Sequence, residues 1–345
     1  MFSSLKYRRT IQILAGAACL LAACLAHAVP AGATTLDTTY TVIAPPGAVI
    51  SDATGVIRTG FLDRFIEVVG WYTDVVGVTH GFIWMSSTGQ YTTLNFPNSD
   101  STTVSGINHD GEIIGSYSDL SSQLAGCTFL YVNGGFQRVT IENSCESNNG
   151  QINNAWTSKG INDSGEIVGD TNDFNGATSS EDGPEAFTYT PITPDFDEVG
   201  FPFTLIAPQE SELDGINDQG EAVGGYTSMT SMTSPPVRYA FYLNRTGVHT
   251  ITDLPGSWSQ ANGINDAGDI VGTYDSSFGF IQDGKTTGSL YYPGSLATSP
   301  QAISDQTNVV SSAFYVVGGY ETTSGNGPVE VAFLATVTPQ LTPLP

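Results

Sequence analysis

The residues best suited to chemistry in this chain sit in one short motif that recurs. It reads GINHDGEIIGSY from Gly106, GINDSGEIVGDT from Gly160, GINDQGEAVGGY from Gly215 and GINDAGDIVGTY from Gly263. Each copy sets an Asn beside a second polar residue, then a Gly, then an acid: Glu112, Glu166, Glu221 or Asp269. Carboxylates near Asn side chains suggest calcium. A tight calcium loop, however, needs several carboxylates at alternate positions and a bidentate acid, whereas the copy at Gly160 supplies at most Asp163 and Glu166. Turn chemistry accounts for the motif better. Asn and Asp cap turns through their own side chains, and Gly supplies a positive φ. Asn108 and Gly111, Asn162 and Gly165, Asn217 and Gly220, Asn265 and Gly268 are therefore expected to be structural hairpin residues. The following acid is expected to be solvated at the rim of a strand. A ring of such acids around an axis leaves calcium as the one cofactor to test; no other is implied.

No catalytic constellation accompanies the motif. Outside the N-terminal segment the histidines are His80, His109 and His249, one at a strand start, one in a turn and one in a strand, with no spacing for a shared metal. No nucleophile elbow, phosphate loop or HExxH is present. Formal charge is −24, from 10 Lys+Arg against 34 Asp+Glu, which argues against nucleic acid as a partner.

The N-terminus reads as an export signal. Lys6, Arg8 and Arg9 precede an apolar stretch, Ile11–Ala26, and a small-x-small site at Ala26–Ala28. Residues 1–28 are the expected signal peptide, and 29–37 a linker. Leu21–Cys24 (LAAC) offers a second reading, in which Cys24 carries a lipid anchor. No later apolar run is long enough to span a membrane. The expected location is secreted, extracellular or periplasmic. There Cys127 and Cys145, the two cysteines left after cleavage, are expected to form a disulfide.

The elements that must position these residues follow from the repeat. With 39 Gly and only 13% charged residues among many Val, Ile, Tyr and Phe, the composition is that of a turn-rich all-β protein. The glycine before the motif's final two residues falls at Gly115, Gly169, Gly224 and Gly272, and degenerate copies add Gly70 and Gly318, so the spacing stays near fifty. A second element follows in step (HGFIW at His80, CTFLYV at Cys127, EAFTYT at Glu185, YAFYLN at Tyr239, FGFIQD at Phe278, VAFLAT at Val331), and a third follows that (QYTTLNF, FQRVTIE, PFTLIAP, VHTITDL, SLYYP). Each unit is thus four short strands: a ends in GIN, b is the VG strand, c the AF strand and d the last. Four strands per unit of this length is a propeller blade. Only five d strands follow a c strand. The missing one is at the other end, where TTYTVIAPPG from Thr38 resembles PFTLIAP. The reading is a six-bladed β-propeller of four-stranded antiparallel blades over residues 38–337. Its ring is closed by the N-terminal strand pairing with the C-terminal blade, which covers the strand edge that blade would otherwise expose. Residues 338–345 form a proline-rich tail.

With its GINDxGxxVG elements beside an AF strand, the chain resembles the HAF-repeat family of bacterial exported proteins. The family triplet is imperfect: His80 keeps the histidine, followed by Gly81. The resemblance covers nearly the whole of residues 38–337. It implies export and a repeat fold, and no reaction.

Strand order sorts the loops. The a–b and c–d turns share a stereotyped face, while the long and dissimilar b–c and d–a connections share the other. Loops that vary on a fixed scaffold are where recognition is expected. Trp156 and Trp258 fall in d–a segments, where they could stack on a sugar or plug the core. Two functions remain open. One is a non-enzymatic binding or surface-interaction module for an extracellular glycan or protein, acting as a monomer through the variable face. The other is a propeller hydrolase or lyase using a divalent cation at the central channel.

Overall fold

The structure is a computed structural model. It describes residues 37–338 apart from 120, 122–123, 141–144, 146, 149–150, 153–154, 173–184, 192–194, 200–209, 229–234, 252–253, 255, 257, 285, 307–312 and 326. The export signal, Cys24, residues 29–36 and most of the proline-rich tail lie outside these residues.

The protein is a six-bladed β-propeller, each blade a four-stranded antiparallel sheet. Strands a to d are, in blade 1, Ala48–Thr59, Phe65–Asp74, Thr79–Met85 and Gln90–Leu94, and in blade 2, Ser101–Ile107, Ile113–Asp119, Leu124–Val132 and Gly135–Arg138. Blade 3 contains Ala155–Ile161, Ile167–Asn172, Glu185–Thr190 and Asp195–Glu198; blade 4 contains Ser211–Ile216, Ala222–Ser228, Val237–Asn244 and Gly247–Thr250. Blade 5 contains Ser259–Ile264, Ile270–Tyr274, Phe278–Asp283 and Thr286–Leu290. Blade 6 takes a, b and c from Ala297–Ile303, Phe314–Ser324 and Gly327–Thr338, and its d strand is Asp37–Ile43, paired from Asp37↔Thr338 to Ile43↔Ala332. The first strand closes the ring, as the missing d strand predicts. No helix among the described residues is long and apolar enough to cross a membrane.

Blade 3 departs from expectation. Its d strand is Asp195–Glu198; the later PFTLIAP lies wholly outside the described residues. The nearer segment pairs because it closes the shorter loop onto strand c, which costs less chain entropy.

The core is built from the repeat. The strand-c phenylalanines Phe82, Phe129, Phe187, Phe241, Phe280 and Phe333 are all fully buried, each contributing about 1.5–3 kcal/mol of apolar transfer. The b-strand tyrosines Tyr72, Tyr117, Tyr226 and Tyr274 are buried between blades. The VG glycine is required by a close approach: a Cβ on Gly169 would lie 1.9 Å from the Thr157 carbonyl oxygen and 3.0 Å from the Phe187 ring.

That approach reflects a β-bulge repeated on every innermost strand. The a–b register shifts between Ala53 and Gly55, Val104 and Gly106, Ser158 and Gly160, Leu213 and Gly215, Ala261 and Gly263, and Pro300 and Ala302. The extra residue in each case is Thr54, Ser105, Lys159, Asp214, Asn262 or Gln301. A bulge leaves its extra residue unpaired and re-aims its side chain.

Candidate functional site

The six inner strands enclose an axial channel whose two ends differ in chemistry. At the stereotyped end lie the GIN turns. Asn162 Oδ1 accepts from the Ser164 and Glu166 backbone N–H groups at 3.2 and 2.9 Å, and Gly165 takes a φ of 76°. Its Nδ2 donates 3.1 Å onward to the Asn217 carbonyl of the next blade. Asn108, Asn217 and Asn265 donate likewise to Asn162, Asn265 and Ser304, and all four are buried. The expected turn role therefore holds for these asparagines and for Gly111, Gly165, Gly220 and Gly268, whose φ values are all positive.

The aspartates differ from the expectation that they cap their own turns. Each accepts from the blade before it: Asp163 from the His109 N–H at 2.7 Å, Asp218 from Asp163 at 2.7 Å, Asp266 from Asp218 at 2.9 Å and Asp305 from Asp266 at 2.6 Å. The fold brings them together because the inner strands end side by side at the axis. Burial raises the Asp305 carboxyl above its ordinary range, and partial desolvation at the crowded axis raises that of the more exposed Asp163, each partly opposed by these N–H bonds. Ligand atoms of His109, Asp163 and Asp218 lie within 4.8 Å of one another. The acids after the turn are less solvated than expected: Glu112, Glu166 and Glu221 are half-buried. Asn108, Asn162, Asn217 and Asn265 each donate to the acid of their own turn, and Asp269 is buried. Burial raises its carboxyl despite the Asn265 bond.

At the variable-loop end the channel opens into a cavity of about 290 Å³. The six bulge residues line it, with Asp52, Thr103 and Thr157 from two positions earlier on their strands and Trp71 and Ser116 beside them. This size is near the lower end of ligand pockets, about 300–1,000 Å³. The wall is polar and electrostatically lopsided. Across blades 3 to 5 runs a closed circuit: Lys159 bonds Asp214 at 2.7 Å and also Glu212, Glu212 pairs with Arg238, Arg238 donates to Gln260 at 2.5 Å, and Gln260 returns to Asp214. Asp170 joins at 3.2 Å from Lys159. Burial pulls the Lys159 ammonium down, but Asp214 and Asp170 outweigh it and hold its pKa above the ordinary lysine value. Where blade 6 meets blade 1, Asp52 and Glu330 face each other instead. Burial and mutual repulsion push Asp52 well up, against one backbone N–H from Ala53. Burial, then Glu321, pushes Glu330 up.

Of the residues singled out from sequence, Trp156 is buried edge-on against Phe187 at 5.2 Å, inside strand a of blade 3. Trp258 is half-buried beside Arg238, with which its backbone forms a parallel bridge. Cys127 and Cys145 form the expected disulfide, with a Cα separation of 4.9 Å. Sequence reasoning missed the bulge ring and the circuit. One signal pointed to them: the residue before each GIN glycine is polar in every full copy and different in each, at Ser105, Lys159, Asp214 and Asn262.

No family model and no curated protein matches the chain. Among solved structures, the chain is similar to the crystal structure of polysaccharide lyase Uly1, at 10% identity over 85% of this chain and 90% of that one, with a TM-score of 0.41. The blades themselves define the fold, an all-β six-bladed propeller whose polar channel opens on the face of its dissimilar loops.

Proposed function

We propose that the protein is an exported, non-enzymatic binding module that takes a polar, polyhydroxylated ligand of the extracellular glycan type into the channel mouth on the variable-loop face. The bulge ring carries this reading. Thr54, Ser105, Lys159, Asp214, Asn262 and Gln301 occupy equivalent positions, line one cavity and offer six different arrangements of donors and acceptors. A few convergent polar groups in a preformed hollow are the ordinary means of fixing a small polar ligand. Hydroxyl-rich ligands suit it because four neighbouring neutral residues, Asn262, Gln301, Thr54 and Ser105, offer donors and acceptors beside Lys159 and Asp214, which are paired to each other. Trp71 adds an aromatic surface in the same cavity.

Binding of soluble oligosaccharides, screened as a panel and confirmed by calorimetry, tests the proposal. Ser105→Tyr, which fills the cavity from an uncharged position, is expected to weaken binding at least tenfold while leaving the melting temperature within a few degrees. Saccharide affinity unchanged by S105Y, or no binding across the panel, overturns it. Turnover of a bound polysaccharide favours the second reading, a polymer-cleaving enzyme in the same channel, for which Asp52 is the one buried carboxyl in the cavity wall with a strongly raised pKa.

A further inference from the structure

Arg238 and Glu330 hold the same place in different blades. Each stands on strand c two residues before the alanine that pairs with the second glycine of a VGGY segment: Ala240 with Gly225, and Ala332 with Gly319. That second glycine has a spatial use. A Cβ on Gly225 would fall 1.9 Å from Gln260 Oε1 and 2.9 Å from Arg238 Nε, so its absence lets the strand-c side chain reach inward to the next blade's inner strand. In blade 4 the space holds a cation and an amide bonded to each other; the cation also pairs with Glu212 and the amide donates to Asp214.

The same space at the seam between blades 6 and 1 holds two acids. A Cβ on Gly319 would lie 2.4 Å from Glu330 Oε1 and 3.0 Å from Asp52 Oδ1, which sets the two oxygens at most 5.4 Å apart. Asp52 is 6% exposed, lines the cavity and sits where Gln260 sits in the other seam. Its Oδ1 is buried and has no hydrogen-bond partner among the described residues. Glu321 lies opposite Glu330 on the neighbouring strand. A buried oxygen left without a hydrogen bond is unfavourable, and the like charge beside it adds to that cost.

We propose that the Asp52–Glu330 pair is a binding site for a divalent cation of the calcium type, which supplies at this seam the positive charge that Arg238 supplies at the other. The donors are hard carboxylate oxygens, which select calcium or magnesium over thiophilic metals. Calcium suits the site better, because it tolerates irregular geometry and completes its shell with water from the adjoining cavity. The site is separate from the His109, Asp163 and Asp218 group, which lies at the opposite end of the channel and whose aspartates each spend one oxygen on a neighbouring blade. The inference does not depend on what the cavity binds.

The test is calorimetric titration of the EDTA-treated full chain with CaCl₂. One site per chain is expected, weakened at least tenfold by Asp52→Asn and by Glu330→Gln, and kept in an Asp163→Asn, Asp218→Asn double variant. Absence of calcium uptake by the wild type, wild-type affinity in D52N, or loss of the site in the double variant overturns the proposal. Glu330→Arg guards against variants that fold poorly. It gives the seam its own cation and is expected to melt at a temperature that calcium does not change, whereas the wild type melts higher with calcium. A calcium shift in E330R equal to that of the wild type also overturns it.

Discussion

His109 Nε2 lies 3.2 Å from Asp305 Oδ2, although the two residues belong to blades 2 and 6. The contact spans blade 1, where the a–b hairpin has no Asn-Asp turn and Arg58 instead reaches the Asp305 carbonyl at 3.2 Å. Five blades pass a hydrogen bond from turn to turn, and His109 joins the last turn in the series to the first.

His109→Ala should therefore cost little. The imidazole and both its carboxylate neighbours are partly exposed, and exposed pairs contribute no more than about 1 kcal/mol. The backbone bond from residue 109 to Asp163 survives the change. Melting curves of the variant and the wild type should differ by only a few degrees.

Asn162→Ala should cost more than Asp163→Ala. Asn162 is buried, holds its own turn and satisfies the Asn217 carbonyl, so its loss orphans groups that water does not reach. About 2–3 kcal/mol is expected. Asp163 is exposed, and an N–H it releases can turn to water. Urea midpoints of the two variants decide the order.

Gly165→Ala and Gly169→Ala should separate sharply despite lying four residues apart. At Gly165 nothing lies within 4 Å of an added Cβ, so only the left-handed backbone matters, at about 1–2 kcal/mol. At Gly169 the Cβ meets a backbone carbonyl that cannot move without breaking the bulge. That cost should reach or exceed the upper end of the about 1–3 kcal/mol usual for overpacking. Chemical denaturation of both variants provides the comparison.

Stability should fall as pH rises through the carboxylate range, and Asp269 should account for part of the slope. Its folded pKa is raised, chiefly by burial. Between the unfolded value, about 3.9, and the folded one, the native state holds more protons than the unfolded chain. Its contribution is present below the unfolded value and lost as pH climbs through the folded one. Asp269→Asn should gain stability relative to wild type across that window. A difference between the two that stays flat from pH 3.5 to 7 would contradict the assignment.

The Cys127–Cys145 bridge closes a separation of 18 residues, for which chain entropy predicts about 3 kcal/mol. Reduced wild type should melt with the Cys127→Ala, Cys145→Ala double variant, and oxidised wild type well above both.

What could be read from the sequence is what the repeat states in every copy. Phe187 and its equivalents, Gly169, Asn162 with Gly165, and the displaced first strand each recur at one offset, so period and pairing rules place them. Lys159 and Asp214 escaped because their importance lies in being different from blade to blade. Their aim depends on a bulge, and alternation along a strand does not reveal an extra residue. Arg238 and Glu330 escaped for another reason: their partners Gln260 and Asp52 belong to the next blade, far off in sequence, and become neighbours only when the ring closes. The blade 3 d strand misled because PFTLIAP resembles the first strand more closely than DFDE does, while proximity to strand c decided the pairing.

Ring closure also determines how the molecule answers to mechanical load. Asp37 and Thr338 form the first pair of an antiparallel seam that runs to Ile43 and Ala332. A force pulling those two residues apart opens the seam like a zipper, one pair at a time, and never loads its bonds in parallel. Held at one end the propeller bears no such force; held at both it yields first at its own closure.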